Sequence, residues 1–442
     1  MRIAMIGTGY VGLVSAACFS EFGFHVTCID KDVEKIEKLL SGQVPIYEPG
    51  LDELVKVNFK AERLLFTTEL SQAVGEADIV MLAVGTPSRR GDGHADLSYV
   101  WKAAEEIAHE LSGYTVVVTK STVPVGTGQK IREIIKSTKK DLDFDIVSNP
   151  EFLREGSAIN DFMRPDRVVV GVETDRAKAF MGELYRPLYI LDTPILYTNI
   201  KTAELIKYAA NTFLATKITF INEMANMCES VGADIQDLSK AIGLDGRIGN
   251  KFLHAGPGFG GSCFPKDTRA FIKMAAQHHS PSRIIEAVVS VNDERKKSMA
   301  SRIIDVCGGN VAGKTIAALG VTFKPNTDDV RESPSLDIVP ELIKQGALIR
   351  VYDPEGMSEA KSFMPKAIWC DDSYDAMKGA DILVIITEWN EFRALDLTRM
   401  RELLNSPTII DLRNIYNPQE MASNGFYYFS IGRPPLPPKL PG

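Results

Sequence analysis

The chain has 442 residues, of which 45% are hydrophobic and 24% are charged, a composition typical of a globular protein with more than one core. With 50 lysine and arginine residues against 58 aspartate and glutamate residues, the net charge is −8. This mild acidity argues against nucleic acid as the main partner, because duplex binding depends on clustered basic charge. Anionic small molecules are still compatible with it, since a local basic pocket needs only a few cations.

The six cysteines are scattered and form no Cys-x-x-Cys pair, which argues against a structural zinc site or a disulfide framework. The amino terminus enters a strand pattern almost at once and lacks the layout of a signal peptide. The longest apolar stretch, residues 3–19, is interrupted by three glycines and is too short to span a bilayer. We therefore expect a cytoplasmic protein with no metal site.

The first 200 residues alternate β-branched runs with helical stretches, which predicts a parallel sheet with crossover helices. The runs lack apolar/polar alternation, as strands buried on both faces do. Strands are predicted at 3–6, 26–29, 79–84, 116–119, 146–147, 168–171 and 195–197. Helices are predicted at 33–40, 97–111 and 129–136.

A long helix is predicted over 201–230, because this segment has no proline or glycine and places apolar residues at helical spacing. Its apolar positions exceed what one stripe of core contact needs, so we expect a homodimer that pairs through it. Further helices are predicted at 267–277 and 282–306.

The alternation of strand and helix returns after residue 313, with strands predicted at 315–319, 348–352, 382–386 and 408–411 and a helix at 335–344. The tripeptide Ala-Asp-Ile at 77–79 recurs at 380–382, each time between a helix and a strand, which supports a second α/β domain. The predicted domains are 1–200, 201–310 (helical) and 311–431. The proline-rich tail, 432–442, is expected to be mobile.

A Gly-x-Gly-x-x-Gly motif, formed by Gly7, Gly9 and Gly12, lies between the first strand and a helix predicted over 13–22. In this motif the glycines permit a tight turn, close approach of the backbone to a pyrophosphate, and helix packing. Asp30 closes the second strand, where an acid binds the adenosine ribose and repels a 2′-phosphate. The sequence therefore predicts NAD rather than NADP, although cations at positions 31 and 35 weaken that discrimination.

The segment 256–268 contains four glycines, Cys263, Pro265 and Lys266. Because proline suits the first turn of a helix, Cys263 is predicted just before a helix amino terminus, with Lys266 close by. Both features stabilise a thiolate. The alternative is a buried structural thiol, which is what we predict for the other five cysteines.

Lys207 and Asn211 are four residues apart and share one face of the long helix. The alternative is an exposed Lys207 paired with Glu204. Beside NAD, an amine, an amide and a thiolate suit a two-step oxidation of an alcohol, in which the thiol captures the aldehyde and water later releases an acid from a thioester. Lys207 and Asn211 would stabilise the oxyanions, and Asp267 would act with water as a base.

Seven segments, in this order, resemble the UDP-glucose/GDP-mannose dehydrogenase family over nearly the whole chain: 7–12, 84–87, 121–126, 149–156, 207–211, the Cys263 loop and 323–331. The resemblance implies a four-electron, NAD-dependent oxidation of UDP-glucose at C6 to UDP-glucuronate, through a thiohemiacetal and a thioester on Cys263. It also implies two Rossmann-like, doubly wound α/β domains joined by a mainly helical region with one long helix. The second of these domains would bind the UDP-sugar, and the helical region would carry the dimer.

The family roles transfer to individual residues of this chain. The catalytic residues implied are Cys263, Lys207, Asn211, Asp267, Thr122 and Glu151. The NAD site implied comprises Gly7, Gly9, Tyr10, Val11, Gly12, Asp30, Lys35, Thr86, Thr122, Glu155, Lys266 and Arg331. The substrate site implied comprises Glu151, Phe152, Leu153, Arg154, Glu155, Lys207, Asn211, Arg247, Phe252, Leu253, His254, Ala255, Gly256, Gly260 and Lys324. In some members the arginine at the position of Arg247 reaches the substrate from the partner subunit.

Three alternatives stay open. The substrate could be GDP-mannose or a UDP-N-acetylhexosamine. The reaction could be a two-electron oxidation of the hydroxyacid type, which needs no cysteine. The third alternative is an NAD-binding protein without turnover, against which the Cys263 loop argues.

Overall fold

The computed structural model describes residues 1–87 and 95–438. The chain divides into two compact units, one made of Met1–Ala210 with Lys273–Ser280 and the other of Asn211–Ile272 with the chain from Pro281 onward. Among the described residues no helix combines the length and apolarity needed to cross a membrane.

The first unit contains a sheet that has eight strands within the described residues. They are β1 (Arg2–Ile6), β2 (His25–Ile29), β3 (Leu64–Thr67), β4 (Ile79–Leu82), β5 (Thr115–Thr119), β6 (Phe144–Ser148), β7 (Val168–Gly171) and β8 (Ile195–Thr198). Their order is β3-β2-β1-β4-β5-β6-β7-β8, and the first six have the strand order of a doubly wound dinucleotide-binding sheet.

The prediction of a parallel sheet is confirmed for β1 to β6. It is wrong for the next pair of strands, β6 and β7. Strand β7 pairs antiparallel with β6 through Ser148 and Gly171. The chain leaves β6 and re-enters the sheet from the same edge through residues 149–167, so it makes no crossover there.

Helices cover both faces of this sheet. They are α1 (Tyr10–Glu21), α2 (Val33–Leu40), α3 (Leu51–Lys60), α4 (Leu70–Gly75), α5 (Ser98–Glu110), α6 (Thr127–Thr138), α7 (Ala158–Met163) and α8 (Asp175–Leu184), with a 3-10 helix at Arg186–Leu191. Ile3 and Met5 of β1 pack into one core with Phe19 of α1, whereas Ala4 and Ile6 pack into the core on the other face. Burial on both faces explains why the strands do not alternate in sequence.

The middle of the chain is helical, and its long helix is one residue longer at each end than predicted. The helices are α9 (Ile200–Val231), α10 (Ile235–Gly243), α11 (Phe264–Gln277) and α12 (Arg283–Val306).

The second sheet, in the second unit, has six strands within the described residues. They are β9 (Thr315–Leu319), β10 (Leu348–Tyr352), β11 (Ile368–Trp369), β12 (Ile382–Ile385), β13 (Thr408–Asp411) and β14 (Tyr427–Ser430). The order β11-β10-β9-β12-β13-β14 repeats that of the first six strands of the first sheet, and every pair is parallel. The helices here are α13 (Ser335–Lys344), α14 (Met357–Ala360), α15 (Ser373–Met377), α16 (Asn390–Arg393), α17 (Leu397–Leu403) and α18 (Pro418–Ser423).

The Ala-Asp-Ile repeat marks equivalent positions in the two sheets. Asp78 accepts a hydrogen bond of 2.8 Å from the backbone N–H of Arg2, and Asp381 accepts one of 2.8 Å from that of Thr315. Each aspartate directly precedes the fourth strand of its sheet, and each donor begins the first strand. The repeat therefore fixes the start of one central strand against the next, and the predicted second α/β domain is confirmed.

The tail is held rather than mobile up to Leu436, so that expectation is wrong for residues 432–436. Leu436 and Tyr428 exchange backbone hydrogen bonds of 2.9 and 3.0 Å, and the Gly432 N–H donates to Glu229 at 2.6 Å. Gly432 also packs so closely on Ile235 that a Cβ would lie 2.6 Å from that side chain. The last four residues of the predicted tail, 439–442, lie outside the described residues.

We predict that alanine is destabilising at one glycine of the motif and tolerated at another. A Cβ at Gly12 would lie 2.0 Å from the Gly7 carbonyl oxygen, whereas one at Gly9 would meet no atom within 4 Å. Gly12→Ala should lower the thermal unfolding temperature by roughly 3–10 °C, because overpacking costs about 1–3 kcal/mol. Gly9→Ala, the matched control, should leave it nearly unchanged in the same calorimetric scan. Equal unfolding temperatures for the two variants would contradict this close packing.

Candidate active site

The glycine motif forms an open cradle at the start of α1. Gly7 has φ +99° and a Cβ there would lie 2.8 Å from the Ala83 carbonyl oxygen, so only glycine fits. Gly9 caps α1 in extended backbone, with open space where a side chain would be. The first turn of α1 contains no acidic residue. These features fit a diphosphate, which binds backbone N–H groups at a helix amino terminus.

Asp30, at the end of β2, is held ready as an ionised acceptor. Its carboxylate accepts hydrogen bonds from the Thr8 backbone N–H at 2.9 Å and hydroxyl at 2.7 Å, and the Lys35 ammonium lies 3.4 Å away. Burial raises the pKa of Asp30, but these hydrogen bonds and Lys35 outweigh burial and hold the pKa below its usual value. Lys31, the other nearby cation, pairs instead with Glu106.

The predicted cofactor residues of the first unit lie on loops that follow neighbouring strands. The Thr86 hydroxyl, in the loop after β4, donates to the carbonyl of Thr122, in the loop after β5, at 3.0 Å. Glu155 lies in the segment after β6. Parallel strands end at one edge of a sheet, and ligands of doubly wound folds bind there. Gly7, Asp30, Thr86, Thr122 and Glu155 all follow strands that end at this edge.

Glu48 links the glycine motif to the segment after β6. The Tyr10 hydroxyl donates to its carboxylate, which also accepts the backbone N–H groups of Gly156 at 2.6 Å and Ala158 at 2.7 Å. Burial and Glu48 raise the pKa of Tyr10. The first residue of α1 is thereby tied to the end of the predicted substrate segment, 151–155. Sequence reasoning missed Glu48, because nothing around it distinguishes it from a solvated loop glutamate.

Lys207 is buried and paired with Glu151, so the alternative of an exposed Lys207 on Glu204 is wrong. Its ammonium lies 2.9 Å from the Glu151 carboxylate, and the two side chains are 4% and 6% exposed. The other Glu151 oxygen accepts the Leu153 backbone N–H. The Phe152 ring lies 5.5 Å from the ammonium. The structure thus brings together four residues predicted to bind substrate.

Glu204 caps the start of α6 instead. Its two carboxylate oxygens accept the backbone N–H groups of Gly126 and Gly128, each at 2.7 Å. Burial raises the pKa of Glu204, while these two hydrogen bonds act in the opposite direction. A carboxylate at a helix amino terminus is stabilised by the helix dipole as well as by the N–H groups.

In the second unit, Cys263 occupies the predicted place at the start of a helix. It directly precedes α11, and its carbonyl accepts the Asp267 backbone N–H at 2.8 Å. Asp267 is buried, with one carboxylate oxygen 2.6 Å from the Lys266 ammonium and the other 2.6 Å from the Asn211 amide nitrogen. The structure therefore brings three predicted site residues together at the Asp267 carboxylate, which lies one helical turn after Cys263.

Burial separates Cys263 from the other cysteines. Cys263 is partly exposed, and none of the six cysteines forms a disulfide in the described chain. Burial raises the pKa of Cys18 to about 12 and that of Cys370 to about 11, as expected of core thiols. Cys307 is only half-buried, so the core prediction is wrong for it, but burial still raises its pKa to about 11.

The glycines of the Cys263 loop allow it to pack on the segment 323–332. A Cβ at Gly260 would lie 2.3 Å from the Glu332 carbonyl oxygen, and the Gly261 N–H donates to the Arg331 carbonyl at 2.8 Å. The Arg331 guanidinium pairs with Asp329 at 2.8 Å. This contact brings the segment that carries Lys324 and Arg331 against the loop that carries Cys263.

The remaining predicted substrate residues, 252–256, lead into this loop. Phe252 has φ +64°, Leu253 and Ala255 are buried in the core, and His254 is exposed. The Gly256 N–H donates to Asn222 at 2.9 Å, and its carbonyl accepts the Arg295 guanidinium at 2.6 Å.

Arg154 and Arg247 are each held by an acidic neighbour. Arg154 pairs with Asp161 at 2.6 Å, which raises the pKa of the arginine. The side chain of Arg247 is 90% exposed and pairs with Asp245 at 2.7 Å. The structure therefore leaves Arg247 at the surface instead of burying it with the loop residues.

Comparison with known proteins assigns most of the chain to one family. The family model for the NAD binding domain of the UDP-glucose/GDP-mannose dehydrogenase family matches residues 1–189, that for the central domain matches 201–294, and that for the UDP binding domain matches 317–418. The chain belongs to this family. It is an NAD-dependent dehydrogenase, and the cradle at Gly9 and the acceptor Asp30 fit that cofactor.

Individual relatives are similar to this chain over nearly their full length. The chain is 58% identical to the UDP-glucose 6-dehydrogenase of Rhizobium meliloti over 436 residues, which is 98% of this chain and 100% of the relative. Among solved structures, a UDP-glucose dehydrogenase from Pyrobaculum islandicum is 36% identical with a TM-score of 0.88 and 95% of each chain covered. A UDP-D-ManNAc dehydrogenase from Pyrococcus horikoshii is 26% identical with a TM-score of 0.84, covering 98% of this chain and 99% of the other.

We predict that Asp30 sets the preference for NAD over NADP. Asp30→Ala should lower kcat/KM with NAD by about ten-fold or more, since a hydrogen bond to a charged group contributes roughly 1.5–3 kcal/mol. It should also narrow the gap to NADP, because the carboxylate no longer repels a 2′-phosphate. Asp32→Ala is the control, since Asp32 caps α2 and should leave the ratio unchanged. A wild-type enzyme that favours NADP in steady-state kinetics would refute this assignment.

Proposed function

We propose that the enzyme oxidises UDP-glucose at C6 to UDP-glucuronate. The observation that carries this proposal is Cys263 at the start of α11, followed one turn later by Asp267, whose carboxylate is hydrogen-bonded to Lys266 and Asn211. A dehydrogenase that stops at the aldehyde has no use for such a thiol. The relatives named UDP-glucose dehydrogenase, at 58% and 36% identity, support the choice of substrate.

The overall reaction consumes one alcohol, one water and two NAD⁺, and yields one carboxylate, two NADH and three protons. NAD supplies the acceptor for a hydride in each of the two oxidations. Between them, the Cys263 sulfur forms a bond to the aldehyde carbon, and the thiol proton passes to the former carbonyl oxygen. Loss of the C6 hydride and the hydroxyl proton leaves a thioester. Water then adds to that carbon, and the C–S bond breaks to restore the thiol and release the acid.

The polar and charged residues of the site have different roles in this proposal. Lys207 and Asn211 donate hydrogen bonds to the oxyanions that form at C6. Glu151, which is paired with Lys207, and Thr122 position water or move a proton. Both oxygens of Asp267 are occupied by nitrogen donors, so it is held in place to act as a base through water.

The competing substrates of the family are GDP-mannose and UDP-N-acetylhexosamines. The UDP-D-ManNAc dehydrogenase is 26% identical to this chain, less than either UDP-glucose dehydrogenase. NADH formation on a panel of these nucleotide sugars tests the choice. UDP-glucose should give the highest kcat/KM and two NADH per sugar, and a higher value for another sugar would reassign the substrate.

We further propose the domain boundaries 1–200, 201–310 and 311–431, which the three family-model ranges support. A cytoplasmic location also belongs to this proposal. The absence of any disulfide among the six cysteines of the described chain supports it, since secreted proteins often form such bonds.

We predict that Cys263 is the covalent nucleophile. Cys263→Ala should lower acid production by several orders of magnitude, because the aldehyde is no longer captured, whereas binding of the sugar nucleotide should survive. Cys263→Ser should accumulate a covalent sugar adduct, since an oxygen ester hydrolyses more slowly than a thioester. Intact-mass measurement after mixing this variant with UDP-glucose and NAD detects the adduct.

Cys307→Ser is the matched control for this experiment, because Cys307 is also a partly exposed thiol of the second unit. It should retain full activity and form no adduct. Two NADH per sugar from Cys263→Ala would remove the nucleophile from the mechanism and leave a bound aldehyde hydrate as the species oxidised.

We propose that the chain forms a two-fold homodimer through α9. Phe213, Phe220 and Met227 are spaced seven residues apart and are 66%, 46% and 58% exposed, and Val231 at the end of the helix is 65% exposed. A seven-residue spacing places them on one face of the helix. Long exposed apolar stripes of this kind mark interfaces between proteins. The exposed Arg247 fits a contact with ligand or with a second subunit.

We predict that Phe213→Glu with Phe220→Glu abolishes this association. Buried carboxylates at a subunit interface have no partner, so light scattering at micromolar protein should give the monomer mass. Tyr99→Glu, which alters an equally exposed aromatic residue on α5, should leave the dimer intact. A wild-type protein of monomer mass would refute the proposal.

A further inference from the structure

Lys120 is a buried cation to which the proposed mechanism assigns no role. It follows β5 directly and is 3% exposed. Its ammonium nitrogen lies 3.0 Å from the side-chain oxygen of Asn149 and 3.3 Å from the Tyr185 hydroxyl. The rings of Phe162 and Tyr185 stand 5.8 and 6.0 Å from it. A lysine in such surroundings is costly to keep charged, so its retention calls for a reason.

The number of hydrogen-bond acceptors around the Lys120 nitrogen suits a side chain that can be either charged or neutral. The Tyr185 hydroxyl donates its own proton to Asn149 at 2.6 Å, which leaves the Tyr185 oxygen able to accept from Lys120. An ammonium has three N–H donors, but the described residues offer it only these two acceptors. A neutral amine has two N–H donors and matches both.

The charged groups that face Lys120 are the pair already placed in the site. Burial is the largest influence on the pKa of Lys120 and lowers it, Glu151 raises it, and Lys207 lowers it, so that together they bring the pKa to about 8. Tyr185, from the end of α8, stays neutral because burial raises its pKa. The neighbours contributed by α7 and α1, Phe162 and Phe19, are apolar.

Asn149 connects Lys120 to that pair through the backbone. Its side-chain amide donates to the Val169 carbonyl at 2.8 Å, and its backbone N–H donates to Thr119 at 2.9 Å. Because Asn149 is thus fixed on three sides, Glu151, two residues later, leaves the sheet in one direction. Loss of Lys120 would leave the Asn149 side-chain oxygen bonded to the Tyr185 hydroxyl but not to a cation, and it would remove the second cation near Glu151.

We propose that Lys120 is a positioning residue for the sugar oxidation, whose buried ammonium group orients Asn149 and places a second positive charge beside the pair of Glu151 and Lys207. The inference rests on the proposed function for the roles of Glu151 and Lys207. It also makes the activity depend on the protonation of Lys120, since deprotonation of Lys120 removes one positive charge from beside Glu151 and Lys207.

The test compares pH profiles of wild type, Lys120→Met and Lys120→Gln on the nucleotide sugar that the wild type oxidises best. We expect kcat of either variant to fall ten-fold or more at pH 7 and by a much smaller factor at pH 9.5, where Lys120 of the wild type is already mostly neutral. The inflection near pH 8 should disappear in both variants. Tyr185→Phe, the control, removes one acceptor and keeps the cation, so it should retain the inflection.

A purely structural role gives a different result. A loss of kcat by the same factor at every pH, or an inflection that survives in Lys120→Gln, would overturn the proposal. If Lys120→Met fails to fold, Lys120→Gln decides alone, because its amide can still bond to Asn149 but carries no charge.

Thermal unfolding separates this inference from the substrate assignment. Since the pKa of Lys120 is lowered from 10.5 to about 8 in the folded state, the unfolded chain binds more protons between these values. Stability due to Lys120 therefore rises with pH across that window. The unfolding temperature of Lys120→Met, measured relative to that of wild type, should therefore be higher at pH 7 than at pH 10. A pH-independent difference would refute the titration of Lys120 even if no nucleotide sugar is oxidised.

Discussion

Parallel strands deliver polar side chains to one edge of a sheet, and burial at that edge demands a partner for every charge. In the first unit this constraint explains most of the site. Asp30 is held by Thr8, and Glu151 is held by Lys207. Glu48 collects one hydroxyl and two backbone N–H groups. Each pairing fixes a loop after one strand against a neighbouring segment, so a ligand at this edge meets groups whose positions are already set.

The second sheet shows that the same topology can be closed to a dinucleotide. Gly320 repeats Gly7, since each follows the first strand, has φ near +95°, and donates its N–H to the last residue of the second strand. Asp353 stands where Asp30 does, but it is fully buried and accepts from the Val321 N–H at 2.7 Å and the Trp389 ring nitrogen at 3.1 Å. A carboxylate saturated by protein donors cannot bind a ribose. Strand order alone therefore does not assign the ligand.

The local sequence pattern was enough to predict the long helices and strands. It missed contacts between residues that are far apart in the sequence. The helix α9 and the strand β9 follow from runs of suitable residues, and Gly7, Gly9 and Asp30 from fixed spacing. The strand β11, with two residues, has too little pattern to detect. Glu151, the partner of Lys207, is 56 residues away in the sequence. Glu204, one helical turn before Lys207, is instead hydrogen-bonded to backbone N–H groups at the start of α6. Lys120 escaped notice for the same reason, because its acceptors come from two other segments.

The loop that carries Cys263 must pack closely on the neighbouring segment and must also keep a favourable charge around the thiol. Gly260 and Gly261 let the loop approach the backbone at 331–332 and the ring of Phe323, and Cys263 follows them at the start of α11. A helix start stabilises a thiolate, but it also favours an acid in the first turn, and Asp267 is that acid. An unpaired carboxylate there would repel the thiolate. Lys266 at 2.6 Å offsets its charge, so the residue that stabilises the helix does not oppose the nucleophile.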